Sequence, residues 1–148
     1  MFYFDKANPL VTFMDIRKES FDFSGNRHME IAPDVVADFK SIPFGDSSYD
    51  MVVFDPPHLL HIGNNAYMAK KYGKLKSNTW KADIKQGFAE CFRVLKQDGV
   101  LIFKWSSVQI PLREIVNLAP IKPLLGNKNS KGKTFWLVFV KAGENIES

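Results

Sequence analysis

Met51-Val52-Val53-Phe54-Asp55-Pro56-Pro57-His58 joins an apolar run to an acid, two prolines and an aromatic ring. A short apolar run of this kind reads as a buried strand. The prolines stop it, because proline fixes φ, donates no N–H and biases the residue before it away from the helical region. The product is a rigid ledge at the carboxyl edge of a sheet. The Asp55 carboxylate, the Pro56 carbonyl and the His58 ring then face one small volume. Two acceptors can hold the N–H groups of an amine while the ring stacks on a flat body. The ledge therefore suits a planar molecule bearing an amino group.

Three more apolar runs end in polar residues: Val11-Thr12-Phe13-Met14 at Asp15, Val35-Val36-Ala37 at Asp38, and Val100-Leu101-Ile102-Phe103 at Lys104-Trp105. Carboxyl ends of strands are where open α/β sheets bind ligands. Between the last two strands, Ile84, Phe88, Cys91, Phe92 and Leu95 recur at the spacing of one helix face, with Gly99 placed to terminate that helix. Pro111 to Leu118 reads as a weaker helix, with proline tolerated in its first turn. Ile121–Leu125 and Thr134–Val140 read as a hairpin whose tip, residues 126–133, is rich in glycine, asparagine and lysine. Phe88, Phe92, Phe135 and Phe139 are expected in the core, and residues 143–148 as a frayed tail. The alternation of strand-like and helical segments predicts an α/β fold.

The 148 residues predict one domain spanning 1–148, and 45% hydrophobic with 24% charged residues is ordinary for a soluble globular protein. A single cysteine, Cys91, excludes a disulfide scaffold within the chain and fits a reducing compartment. No apolar stretch approaches the roughly 18 residues that span a bilayer, and the N-terminus lacks a signal-peptide layout, so a cytoplasmic protein without a membrane partner is expected. His58 and His61 without a nearby cysteine make a poor zinc site, and no metal is expected. Charge is unevenly placed. Residues 1–58 carry ten acids against five Lys/Arg, whereas residues 59–148 carry six against fifteen. The excess peaks at Lys70, Lys71, Lys74, Lys76 and Lys81, with Tyr67, Tyr72 and Trp80 interleaved. That mixture suits phosphate contact and base stacking; its alternative is a solvated, lysine-rich loop.

Asp55-Pro56-Pro57-His58 resembles the (D/N/S)-P-P-(Y/F/W/H) motif of class I S-adenosylmethionine (SAM)-dependent amino-methyltransferases. From that family's second strand onward the chain is similar in order. Ser41 to Asp50 resembles the loop leading into the family's fourth strand, and Arg93 to Ile102 its helix, turn and fifth strand. The terminal hairpin resembles the sixth and seventh strands. Phe2-Tyr3-Phe4-Asp5-Lys6-Ala7-Asn8-Pro9 resembles an N-terminal motif of small phage- or prophage-type DNA methyltransferases. The resemblance implies a Rossmann-like fold, a mostly parallel sheet with a C-terminal antiparallel hairpin, and SAM as cofactor. It implies methyl transfer to an exocyclic amine, adenine N6 or cytosine N4, in DNA ahead of RNA. Asp55, Pro56, Pro57 and His58 would be the catalytic ledge. Asp15 would take the SAM ribose hydroxyls and Asp38 the adenine amino group, with Phe39 against the ring. Asp5 and Lys6 would border the cofactor or form a local ion pair at a helix start. Lys70, Lys71, Tyr72, Lys74, Lys76, Trp80, Lys104 and Trp105 would meet nucleic acid.

The family's first strand and glycine-rich loop do not precede Phe2, so the resemblance is to an N-terminally shortened form. In the strand order 3-2-1-4-5-7-6 that strand is central, and its neighbours would stand roughly 10 Å apart at about 4.8 Å per strand. Unpaired N–H and C=O groups there are costly. Either the neighbours pair directly, or the Met1 to Phe4 run slides in, or another chain completes the sheet in a homodimer. A non-catalytic domain that binds nucleic acid or a partner is the competing reading. A methyltransferase for an RNA, small-molecule or protein amine is the third.

Overall fold

A computed structural model describes residues 3–127 and 131–143. Met1 and Phe2 of the N-terminal motif, the hairpin tip at 128–130 and the tail from 144 lie outside the described residues. The chain forms three sheets and three helices among the described residues. β1 (Met14–Asp15) pairs in parallel with β4 (Val35–Val36). Backbone bonds from Val35 N–H to Phe13 O and from Ala37 N–H to Asp15 O, each 3.0 Å, lengthen that pairing. Between them β2 (Glu19–Phe23) and β3 (Arg27–Ile31) make an antiparallel hairpin. Its turn places Gly25 and Asn26 at φ of 80° and 55°, a region that glycine and asparagine tolerate best.

β5 (Tyr49–Phe54), β6 (Leu95–Ser106), β8 (Thr134–Val140) and β7 (Leu125–Gly126) form the main sheet in the order β5-β6-β8-β7. β5 and β6 are parallel, and both joins to β8 are antiparallel. The α/β layering and the antiparallel C-terminal strands are as anticipated, but the sheet is not mostly parallel: only one of its three joins is, because the parallel pair β1–β4 stands apart, and of Ile121–Leu125 only Leu125 is in a strand. β1–β4 does not join this sheet: direct pairing across the predicted gap does not occur. Instead the Tyr3 ring packs edge-on against Phe13, centroids 4.7 Å apart, within range of the Asp55 charge.

α1 (Tyr67–Tyr72) and α2 (Trp80–Val94) carry the chain from β5 to β6, and α3 (Leu112–Val116) follows β6. The predicted face of α2 is the one buried: Ile84, Phe88, Cys91 and Phe92 lie against Leu101, Phe103 and Phe139. Each such side chain contributes about 1.5–3 kcal/mol through burial. Gly99 does not end α2. The helix stops at Val94, Asp98 takes the left-handed turn at φ 61°, and Gly99 lies within the β6 span. A Cβ on Gly99 would sit 2.7 Å from the Lys96 carbonyl, so a close backbone approach is what requires glycine there. No described helix is long and apolar enough to cross a membrane.

Candidate functional site

Phe54, the last residue of β5, is buried among Phe39, Phe88 and Phe103, with ring centroids 5.3, 5.6 and 5.7 Å away. That anchorage sets the ledge. Pro56 is buried, Pro57 and His58 are partly buried, and Asp55 projects outward. α1 closes over the prolines. Gly73 at its C-terminus has φ 77°, and a Cβ there would stand 3.2 Å from Pro57 Cγ. Beyond the ledge, the Gln109 amide accepts the Leu60 and His61 N–H groups at 2.6 and 2.9 Å, pinning the loop to the segment after β6.

Asp55 and His58 open into a cavity of about 200 Å³ walled by Met68 and Tyr72 of α1, Lys104 and Ser106 of β6, and Thr134 of β8. His58 is held by two rings, Tyr72 at 5.8 Å and the edge-on Trp105 at 6.2 Å. Burial pushes its pKa below the ordinary value of 6.5, the Asp55 charge opposes that, and Lys104 adds to it. Burial therefore disfavours the charged ring. The half-buried Tyr3 phenol has its pKa raised, first by burial and then by Asp55. A second concavity of about 220 Å³, at the base of the β2–β3 hairpin, is broad, open and contains no ledge residue.

Each strand-end acid carries a resident cation. Asp15 Oδ1 accepts the Arg17 backbone N–H at 2.9 Å and its Nε at 3.2 Å, while Oδ2 faces Nη2 at 3.4 Å. Asp38 repeats the pattern: Oδ1 accepts the Lys40 N–H at 2.8 Å and Oδ2 faces its Nζ at 3.6 Å. Both are Asx turns, in which an aspartate bonds the backbone two residues on. Lys40 also reaches Asp83 in the first turn of α2 at 3.4 Å. Asp55 Oδ2 meets Lys104 Nζ at 3.3 Å. Any ligand amine or diol taken by these carboxylates must share or displace a cation.

Several predicted contacts are relocated. Trp105 is not a surface contact: it is 1% exposed, its indole N–H bonds the Ile110 carbonyl at 3.0 Å, and it supports His58 from below. Strand alternation explains this, since Leu101, Phe103 and Trp105 share the buried face of β6 while Lys104 faces the cavity. Trp80 opens α2 and packs against the core, with Lys81 over its ring at 5.4 Å. Phe39 stands against Phe54 and the Gly87 backbone, where its Cδ2 is 2.7 Å from a hypothetical Cβ. Asp5 bonds the Ala7 N–H at 3.0 Å in a turn, and no helix starts at Asp5-Lys6.

The lysine cluster is not one loop. Lys70, in the last turn of α1, holds its Nζ over Phe21 and Phe23 at 5.2 and 5.8 Å. Lys71 lies over Tyr72 and Tyr67 at 5.1 and 5.8 Å. Lys74 donates to the Ile62 carbonyl at 2.9 Å, Lys76 is exposed, and Lys81 faces Glu114 at 3.8 Å. Arg17 and Tyr3 were not singled out by sequence, nor was the hairpin that carries Phe21 and Phe23. The signals were present: an Asp-x-Arg turn, and Gly25-Asn26 between alternating apolar residues.

No protein-family model matches the sequence, and no curated protein matches it. Among solved structures the chain is similar to the PH0226 protein from Pyrococcus horikoshii OT3, with TM-score 0.50 and 14% identity over 74% of this chain and 58% of that one. Another is a SAM-dependent methyltransferase of the DUF858 family from Leishmania major, with TM-score 0.44 and 13% identity over 71% and 44%. The chain thus spans between four and six tenths of these proteins' lengths. The first likeness is one of fold.

Proposed function

We propose that the chain transfers a methyl group from SAM to an exocyclic amine of an unpaired nucleobase, in DNA ahead of RNA. The observation that carries this reading is the ledge cavity, where Asp55 and His58 share one volume of about 200 Å³. Ligand pockets for drug-sized molecules span about 300–1,000 Å³, so this volume suits one flat ring rather than a whole nucleotide. Asp55 and the Pro56 carbonyl would accept the amine N–H groups, and His58 would stack on the ring. Lys104 favours an uncharged aromatic amine over a protonated alkylamine, because a second cation beside Asp55 would be repelled. A base inside a duplex cannot reach the cavity and must be flipped out or single-stranded.

The residues present fit the nucleoside half of SAM. Asp15 is the last residue of β1 and Asp38 stands two residues beyond its parallel partner β4, and their side chains are 34% and 35% exposed. They would hold the ribose hydroxyls and the adenine amino group. The cofactor supplies an electrophilic methyl. This chain's contribution is to fix the amine by Asp55 and His58, so that positioning and electrostatics provide the rate. Lys71 and Lys76 would neutralise phosphates flanking the base.

The competing reading, nucleic-acid binding without transfer, draws support from the cations already seated on Asp15, Asp38 and Asp55. Calorimetric titration separates the two. Saturable SAM binding that strengthens uptake of an unpaired adenine or cytosine oligonucleotide supports transfer. Oligonucleotide binding with no SAM isotherm would leave the binding reading.

A further inference from the structure

Arg17 joins the acid assigned to the cofactor to the helix that walls the target cavity. Its Nε and Nη2 engage Asp15, while Nη1 donates to the Lys70 carbonyl at 2.6 Å. That carbonyl belongs to the last turn of α1, where backbone acceptors lack partners within the helix. The guanidinium carbon lies 3.9 Å from the position a Cβ on Gly73 would occupy, and Pro57 lies 3.2 Å from the same point. The C-terminal end of α1 is therefore clamped between Arg17 and the ledge. Met68 and Tyr72 of this short helix face the cavity. α1 has no side-chain cap and no acid in its first turn, so it depends on such outside contacts.

We infer that Arg17 is a positioning residue that latches α1 over the ledge, and that a ribose diol arriving at Asp15 competes with it and loosens the latch. The inference rests on the proposed function for what arrives at Asp15. Asp15 Oδ1 already takes two donors and Oδ2 faces a third. A diol needs both oxygens, and the guanidinium is the group that can leave, since the backbone N–H of Arg17 cannot. Release of Nη1 from Lys70 then lets Met68 and Tyr72 swing away and admits a base. Cofactor would bind first and open the way for its partner substrate.

The test is amide hydrogen exchange of residues 67–75 in the wild type, Arg17→Ala and Arg17→Lys, each with and without SAM, beside calorimetry with SAM. Without ligand, both variants should exchange about tenfold faster across α1, the scale of one lost charge-assisted hydrogen bond. The segment 84–92 of α2 should be unchanged, which shows that the fold is intact. SAM should speed α1 exchange in the wild type and do nothing further in Arg17→Ala, which should bind SAM more tightly because Asp15 is released. A merely structural role would weaken SAM binding instead. Wild-type exchange in both variants, or SAM slowing α1 exchange in the wild type, overturns the latch. If SAM does not bind the wild type, the proposed function fails, while the ligand-free comparison still decides whether Arg17 holds α1.

Discussion

Replacing Gly87 by alanine tests whether α2 sets the ledge through Phe54. Gly87 is buried in the middle of α2, and a Cβ there would stand 2.7 Å from both Phe39 Cδ2 and Phe54 Cζ. Ordinary contact begins at 3.4 Å, so each ring must retreat by about 0.7 Å. Phe39 is only partly buried and can tilt. Phe54 cannot do so freely, because Phe88 and Phe103 stand behind it at 5.6 and 5.7 Å. Overpacking of this kind costs about 1–3 kcal/mol. Alanine returns about 0.5–1 kcal/mol through helix propensity, so the middle of each range leaves a net loss of about 1 kcal/mol. Urea unfolding with an unchanged m-value reads that loss as a lower midpoint. Gly63→Ala is the control, since nothing lies within 4 Å of its Cβ position. Because Phe54 precedes Asp55, oligonucleotide binding should weaken further than stability alone explains. A Gly87→Ala protein as stable as the wild type would refute the packing argument.

Other outcomes follow from single contacts. Arg93 ties the loop after Asp38 to α2, donating to the Ile42 and Phe44 carbonyls at 2.8 Å and to Asp46 at 2.9 Å, and pairing with Glu90. Arg93→Ala should lower the midpoint of urea unfolding, because the Ile42 and Phe44 carbonyls lose their donor; an unchanged midpoint would show that the tie adds nothing to stability. The His58 pKa is depressed by burial, so below its ordinary 6.5 the unfolded chain takes a proton that the folded chain refuses. Its contribution to stability is complete above pH 6.5 and is lost as pH falls toward the folded value. His58→Gln should flatten that acid limb in a pH series of unfolding midpoints; an unchanged limb assigns it elsewhere. Lys71 and Lys76 together should carry part of the salt dependence of oligonucleotide binding. Their double replacement by serine should lower the slope of log affinity against log salt by about 1–2, and an equal slope removes them from the interface.

The parts legible in sequence were those whose pattern is local. The α2 face follows from helical spacing, and the ledge from the stereochemistry of two prolines. The site's cations were legible only in hindsight. Arg17 and Lys40 sit two residues after their acids, where Asx-turn geometry delivers them, but proximity in sequence does not say that the side chain folds back. The β2–β3 hairpin was missed because Glu19 and Arg27 stand on the same face as Phe21, Phe23, Met29 and Ile31 and interrupt it, although Gly25-Asn26 marks the turn. Trp105 was misread by adjacency to Lys104, when period-two alternation sends neighbours to opposite faces. The lysine cluster depends on docking of α1 against Phe21 and Phe23, a contact between segments some fifty residues apart that no local pattern encodes.

Transfer of labelled methyl from SAM to a single-stranded oligonucleotide, compared between the wild type and Asp55→Ala, bears most directly on the ledge. The wild type should label adenine or cytosine. Asp55→Ala should lose about 10²–10³ in turnover, the scale of removing one aimed hydrogen-bonding group, with SAM binding within about twofold of the wild type. Retained turnover in Asp55→Ala would contradict the account.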